Sequence, residues 1–247
     1  MSITSSPAAV IDRLLKNVMS KAETSKIVLQ QPVKAVLFDL DGTFADTAAD
    51  LAAAVNHVRH VHQLAPLPLE ILRPQASHGS VGLLKVGMNA SPDDANFAAL
   101  RELFLDHYSA NICQHTTLFP GMAELLSTLE QQKLPWGIVT NKPHRFTLPL
   151  MQALGYAERA ACLVSGDTCE FAKPHPQPML HAATIIKTEP KNCLYLGDDK
   201  RDMEAANAAG MQGIIAEYGY IDPLADLDAW QANGRVKTLA QLSAYLN

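Results

Sequence analysis

The sequence predicts an α/β protein: a doubly wound parallel sheet with a helical segment inserted after the first strand. Three observations carry this. Short apolar runs of strand character recur along the chain with helical stretches between them. The interval from Thr47 to about Leu118 breaks that rhythm and holds no clear strand. The first apolar run ends in two carboxylates and a glycine, Asp39-Leu40-Asp41-Gly42-Thr43, and strand ends are where open α/β sheets place their chemistry.

Val33-Lys34-Ala35-Val36-Leu37-Phe38 reads as the first buried strand. Further strands are expected at 136–139, 161–164, 193–196 and 213–216. Helical patterns fill the gaps at about 121–132, 145–154, 177–187 and 200–209. Their punctuation is consistent: Pro120-Gly121 precedes the first, Gly155 ends the second and Gly210 ends the last. Within the insertion, one helix is expected from Asp50 to His62 and another within 92–110, with a small-residue loop, Ser77-His78-Gly79-Ser80, between them. The implied division is an N-terminal extension (1–31), a catalytic core (32–49 and 118–247) and a helical cap (50–117). Hinges are expected near 46–50 and 115–120.

Composition narrows the function classes. The chain has 247 residues, 48% hydrophobic and 18% charged, which suits a folded protein with an ample core. A net charge of −5 leaves no basic excess for nucleic-acid phosphates. No apolar run approaches the roughly 20 residues of a membrane span. The amphipathic pattern Val10, Ile11, Leu14, Leu15, Val18 is broken by Asp12, Arg13, Lys16 and Asn17, too charged for a signal peptide. It reads as a peripheral helix or tail, with a dimer contact or a membrane-surface helix as the functional alternatives. Cys113, Cys162, Cys169 and Cys193 lack CxxC spacing, so a reduced cytoplasmic protein without structural disulfides is expected. The partner expected is a small molecule, with no nucleic acid and no membrane, on a monomer or homodimer.

Four segments lie just beyond apparent strand ends or at a helix entry: Asp39 to Thr43, Thr140-Asn141-Lys142, Lys173-Pro174-His175-Pro176, and Gly197-Asp198-Asp199 with Asp202. Adjacent parallel strands end on one edge, so these side chains can converge. Paired acids at such a point repel unless a cation sits between them or one keeps its proton. Either outcome suits chemistry on a phosphate ester.

This order and spacing resembles the haloacid dehalogenase superfamily over about residues 33–217. The resemblance implies a Rossmann-like core and assigns roles. Asp39 is the expected nucleophile, Asp41 the general acid/base, and Thr140 and Lys173 the groups that hold the phosphoryl oxygens and its charge. Leu40, Gly42, Thr43, Asn141 and Lys142 would border the phosphate. Mg²⁺ is the implied cofactor, on Asp39, the main-chain carbonyl of Asp41, and Asp198. Asp199 and Asp202 would steady Lys173 and the metal's waters, although Asp202 also reads as a simple helix N-terminal acid. Dehalogenases lack the second aspartate, so Asp41 points to phosphoryl transfer.

The cap loop Ser77, His78, Gly79 and Ser80 is expected to meet the substrate, and Lys85 to reach a substrate carboxylate or stay solvated. His57, His60 and His62 read as a solvated helix face rather than a zinc site. Tyr218-Gly219-Tyr220 either borders the pocket or turns the chain. Trp230 and 238–246 read as peripheral packing. Asp50-Leu51-Ala52, Phe119-Pro120-Gly121 and Thr140-Asn141-Lys142 resemble the phosphoglycolate phosphatase group. The cap loop is at least as similar to the neighbouring N-acetylmuramate 6-phosphate phosphatases. A phosphosugar mutase and a non-catalytic binding protein are the remaining alternatives.

Overall fold

The computed structural model describes residues 27–246. The amphipathic pattern at 10–18 lies outside them. Eight strands are described: β1 (Ala35–Phe38), β2 (Ala45–Asp46), β3 (Thr117–Leu118), β4 (Trp136–Val139), β5 (Leu163–Val164), β6 (Cys193–Gly197), β7 (Gln212–Ala216) and β8 (Gly234–Val236). Six of them form one parallel sheet in the order β5-β4-β1-β6-β7-β8. The chain winds outward from β1 to β5, then crosses back to β6 and winds the other way. The β1/β6 boundary is therefore the topological switch point, the place where such sheets bind ligands.

These strands are apolar on both faces because helices cover both. Side chains alternate across the sheet. Val36 and Phe38 of β1 enter one core with Ile138, Leu194, Leu196 and Ile214. Ala35 and Leu37 enter the other with Val139, Cys193, Tyr195 and Ile215. The first core is held together by aromatic contacts around Phe44, which stacks on Trp136 at 5.7 Å and meets Phe38 and Tyr156 edge-on at 6.0 and 5.7 Å. Helices α5 (Met122–Gln131), α6 (His144–Ala153), α7 (Gln177–Ile186) and α8 (Lys200–Ala209) lie close to their expected positions.

The insertion is helical. It comprises α1 (Ala48–Val61), α2 (Leu69–Leu72), a 3₁₀ turn (Arg73–His78), α3 (Gly79–Met88) and α4 (Phe97–Ala110). Leu51, Val55 and Val58 of α1 pack with Leu83 and Leu84 of α3 and with Leu100 and Phe104 of α4. Its two ends are joined by β2 and β3, which pair antiparallel through Ala45↔Leu118 and Asp46↔Thr117. Asp50, buried, accepts from the His115 and Thr116 amides and from Thr116 Oγ1 at 2.7–3.1 Å. The start of α1 and the returning strand are thereby tied together.

Several expectations are corrected. The first strand begins at Ala35, not Val33, and the third is only Leu163–Val164. The Ser77–Ser80 segment is no open loop: the 3₁₀ turn runs directly into α3. Residues 234–246 add an edge strand and a helix, α9 (Leu239–Leu246), with Leu239 and Leu242 buried in the core. Trp230 is buried in the second core. Residues 27–31 run along the sheet edge: Ile27 is buried, Val28 N–H donates to the Asn233 carbonyl, and the Gln30 and Gln31 amides donate to Gln212 Oε1. All four cysteines are free thiols, and burial pushes Cys162 up to about 12. No described helix is long and apolar enough to cross a membrane.

Phe44→Ala removes the hub of the aromatic cluster. A loss of about 3–5 kcal/mol is expected in urea unfolding; a loss below about 1 kcal/mol would show that the cluster closes around the gap.

Candidate active site

Register explains how the motifs meet. Phe38 is level with Ile138 on one side and with Leu196 on the other. Asp39, Thr140 and Asp198 therefore emerge together just past the ends of three adjacent strands. Asp39, Asp198 and Asp202 are all buried, and one carboxylate oxygen of each lies within 4.8 Å of the others.

Lys173 is the buried cation among them. Its three N–H groups are shared among four acceptors, Asp39 Oδ1 at 2.8 Å, Asp202 Oδ1 at 2.7 Å, Tyr195 Oη at 2.8 Å and the Val139 carbonyl at 3.0 Å. Burial alone would lower its pKa, but the charges of Asp202 and Asp39 outweigh that and hold it above the ordinary lysine value. The lysine is aimed by its backbone. Asn141 Nδ2 donates to the Lys173 carbonyl and Asn141 Oδ1 accepts the Lys173 amide, both at 2.9 Å. The Asn141 side chain is thus occupied in positioning the lysine.

One cation does not balance three carboxylates. Burial, reinforced by Asp39 and Asp202, pushes Asp198 well above the usual carboxylate range. Burial likewise lifts Asp202 to about 6, against the opposing pull of Lys173. Both oxygens of Asp198 are held. Thr43 Oγ1 donates to its Oδ1 at 2.9 Å, while Ser77 Oγ and the Tyr220 amide donate to Oδ2 at 2.9 and 2.8 Å. Gly42, at φ +86°, and Gly219 press directly on this carboxylate, and a Cβ at either would collide with it. Such a cluster of hard oxygens with excess negative charge suits a hard divalent cation. Among the described residues it is the one group that meets this description.

Asp41 stands apart from the trio and half-buried. Its Oδ1 accepts from Thr47 Oγ1 at 2.6 Å and from Lys142 Nζ at 3.0 Å. Lys142 lies over the Tyr108 ring at 4.5 Å, and its pKa is raised because Asp41 outweighs the cost of burial. Thr140 is buried, and its Oγ1 accepts the Lys142 amide at 3.2 Å.

Above these groups is a cavity of about 240 Å³ whose wall includes Asp39, Asp41, Thr140, Asn141, Lys142 and Lys173 on the sheet side. The insertion supplies Ser77, His78, Gly79 and Ser80. It also supplies Arg101, Phe104, Leu105 and Tyr108, which the sequence reading missed. Their i, i+3, i+4, i+7 spacing marks one face of α4 and was the available signal. Lys85 is exposed and does not line the cavity.

One further placement differs from expectation, and two open readings are narrowed. Asp199 does not reach Lys173; it caps α8 and takes Arg201 at 2.6 and 2.8 Å, with His78 Nε2 at 3.7 Å. Tyr218 and Tyr220 do not line the cavity but brace the motif loop from behind, through the Thr43 carbonyl (3.0 Å) and through Asp46 (2.8 Å) respectively. His57, which reads from sequence as one helix face with His60 and His62, stacks on His107 at 4.3 Å.

Comparison with known proteins agrees with this geometry. The family model described as haloacid dehalogenase-like hydrolase matches residues 36–216. The chain is 43% identical to a phosphoglycolate phosphatase of Xanthomonas campestris pv. campestris, covering 85% of this chain and 94% of that protein. It is 39% identical to an N-acetylmuramic acid 6-phosphate phosphatase of Pseudomonas putida, covering 81% and 90%. A crystal structure described as a predicted phosphoglycolate phosphatase from Haemophilus somnus shares the fold with a TM-score of 0.78 at 24% identity, covering 88% of this chain and 100% of that one. The chain belongs to the haloacid dehalogenase-like hydrolase family.

Proposed function

We propose that this protein is a Mg²⁺-dependent phosphomonoesterase, with Asp39 as nucleophile and a small phosphorylated metabolite as substrate. The observation that carries the reading is the buried Asp39–Lys173 pair, 2.8 Å apart at the switch point of the sheet and open to a cavity. An Asp39 oxygen attacks phosphorus, and the ester oxygen leaves with the bonding pair as an aspartyl-phosphate forms. Asp41 gives that oxygen a proton, then takes one from the water that attacks the aspartyl-phosphate and restores Asp39. Lys142 holds Asp41 at the cavity wall. A phosphoryl anion beside Lys142 competes for that ammonium and frees Asp41 for proton transfer.

Lys173 and the Thr140 hydroxyl face the phosphoryl group, and main-chain amides near Leu40 and Asn141 complete its cradle. Gly42 and Thr43 shape the turn that carries it. Asp39, the Asp41 main-chain carbonyl and Asp198 would hold Mg²⁺. When bound, the ion offsets the excess of carboxylate charge and polarises the phosphoryl oxygens. Asp202 is a positioning group: one of its oxygens accepts from Lys173 and the other from the Asp199 amide. Residues 50–117 act as a cap, hinged at the β2/β3 ribbon, over a core of 32–49 and 118 onward.

The substrate reading is 2-phosphoglycolate, supported by the 43% identical relative of that name. N-acetylmuramate 6-phosphate is the second reading. It is supported by the 39% identical relative and by a cavity whose wall continues past the phosphoryl site to Phe104, Leu105 and Phe146.

Asp39→Asn is expected to reduce kcat by about a thousandfold or more, because an amide is a poor nucleophile. Phosphate release within about tenfold of wild type would exclude Asp39 as nucleophile. Stripping the enzyme with a chelator should abolish turnover and added Mg²⁺ should restore it; full activity after stripping would overturn the metal assignment. Phosphate release from 2-phosphoglycolate and N-acetylmuramate 6-phosphate, measured side by side, decides between the substrates through the larger kcat/KM.

A further inference from the structure

The cavity wall carries several cations, and all but one are matched by carboxylates. Lys173 is paired with Asp39 and Asp202, and Lys142 with Asp41. Arg201 is paired with Asp199, and His78 lies near the same carboxylate. Arg101 is different. Its Nε donates to Ser80 Oγ at 3.2 Å, and among the described residues no carboxylate forms an ion pair with it. A guanidinium presents five donors in a planar fork suited to a carboxylate, and here a neutral hydroxyl takes only one position of that fork.

A second feature points the same way. Helix α3 starts at Gly79 without a side-chain cap, and Gly79 and Ser80 both line the cavity. The positive end of a ten-residue helix therefore adjoins the same space as Arg101. Gly79 makes the turn into this helix at φ +57°, ψ −149°, a conformation that favours glycine. The phosphoryl machinery lies on the opposite wall, on the strand ends.

Resting on the phosphatase reading above, we infer that Arg101, with Ser80 and the start of α3, selects phosphomonoesters that bear a second anionic group, a carboxylate, away from the phosphate. Arg101 is a specificity residue and takes no part in phosphoryl transfer. The carboxylate completes the fork that Ser80 leaves open, so its contribution falls on substrates that have one and on no others.

Matched substrate pairs test this. One pair is 2-phosphoglycolate and 2-hydroxyethyl phosphate, equal in reach but differing in the acid. The other is N-acetylmuramate 6-phosphate and N-acetylglucosamine 6-phosphate, the same sugar without the acid-bearing ether. Arg101→Met should lower kcat/KM for the acid-bearing member of the pair the enzyme uses by about ten- to a hundredfold, mainly through KM. The uncharged member should stay within about threefold of wild type. Arg101→Lys should recover part of the loss. Equal losses on both members would assign Arg101 a structural role in holding Ser80, and no loss on either would remove it from recognition; each result overturns the inference while leaving the phosphatase reading intact. A wild-type enzyme that releases phosphate from none of the four esters would overturn both substrate readings, and this inference with them.

Discussion

The contact between Lys173 and two buried aspartates is the constraint around which the rest of the site is arranged. Carboxylates removed from water at close range cannot all stay charged without compensation. A single ammonium, donating to Asp39 and Asp202 at 2.7–2.8 Å, supplies part of it. The Tyr195 hydroxyl and the Val139 carbonyl take its remaining donor capacity. The Asn141 amide fixes the main chain from which the lysine extends. Burial, together with the charge left over, pushes Asp198 above the usual carboxylate range and favours a cation beside it. Stability and chemistry here draw on the same electrostatic imbalance.

Asp198 also links the site to the helical insertion. Ser77, from the 3₁₀ turn, donates to its carboxylate, and Arg201 donates to the Ser77 carbonyl at 3.0 Å. Arg73 pairs with Asp46 in the β2/β3 ribbon at 2.9 Å and lies over the Tyr220 ring at 4.9 Å. Tyr220 in turn gives its amide to Asp198. The insertion thus rests on the core through residues that also hold the acidic cluster.

The fold and the core motifs were legible because they follow short-range rules. Both-face burial makes parallel strands read as apolar runs, so β1 and β6 stand out, and the convergence of the acids just beyond them follows from sheet topology. β2, β3 and β8 were illegible, since strands of two or three residues have no periodicity to detect. Asp199 and Asp202 sit three residues apart at the start of one helix, yet only Asp202 faces Lys173, while Asp199 turns outward to Arg201. Tyr220 and Asn141 were placed by their neighbours in sequence, whereas their work is set by partners 174 and 32 residues away.

The sequence by itself determined the alternation of strand and helix, the helical insertion, and the acids, threonine and lysine that converge at the strand ends. Local periodicity and turn chemistry encode these, and parallel topology brings them to one edge. Only the tertiary structure decided which charges are neutralised and which are left over. It showed that Lys142 is spent on Asp41, that Arg201 is spent on Asp199, and that Arg101 faces the cavity with a hydroxyl for company. The physical reason is that an ion pair depends on distance in space, through burial and angle, and the chain positions of its partners carry almost none of that information.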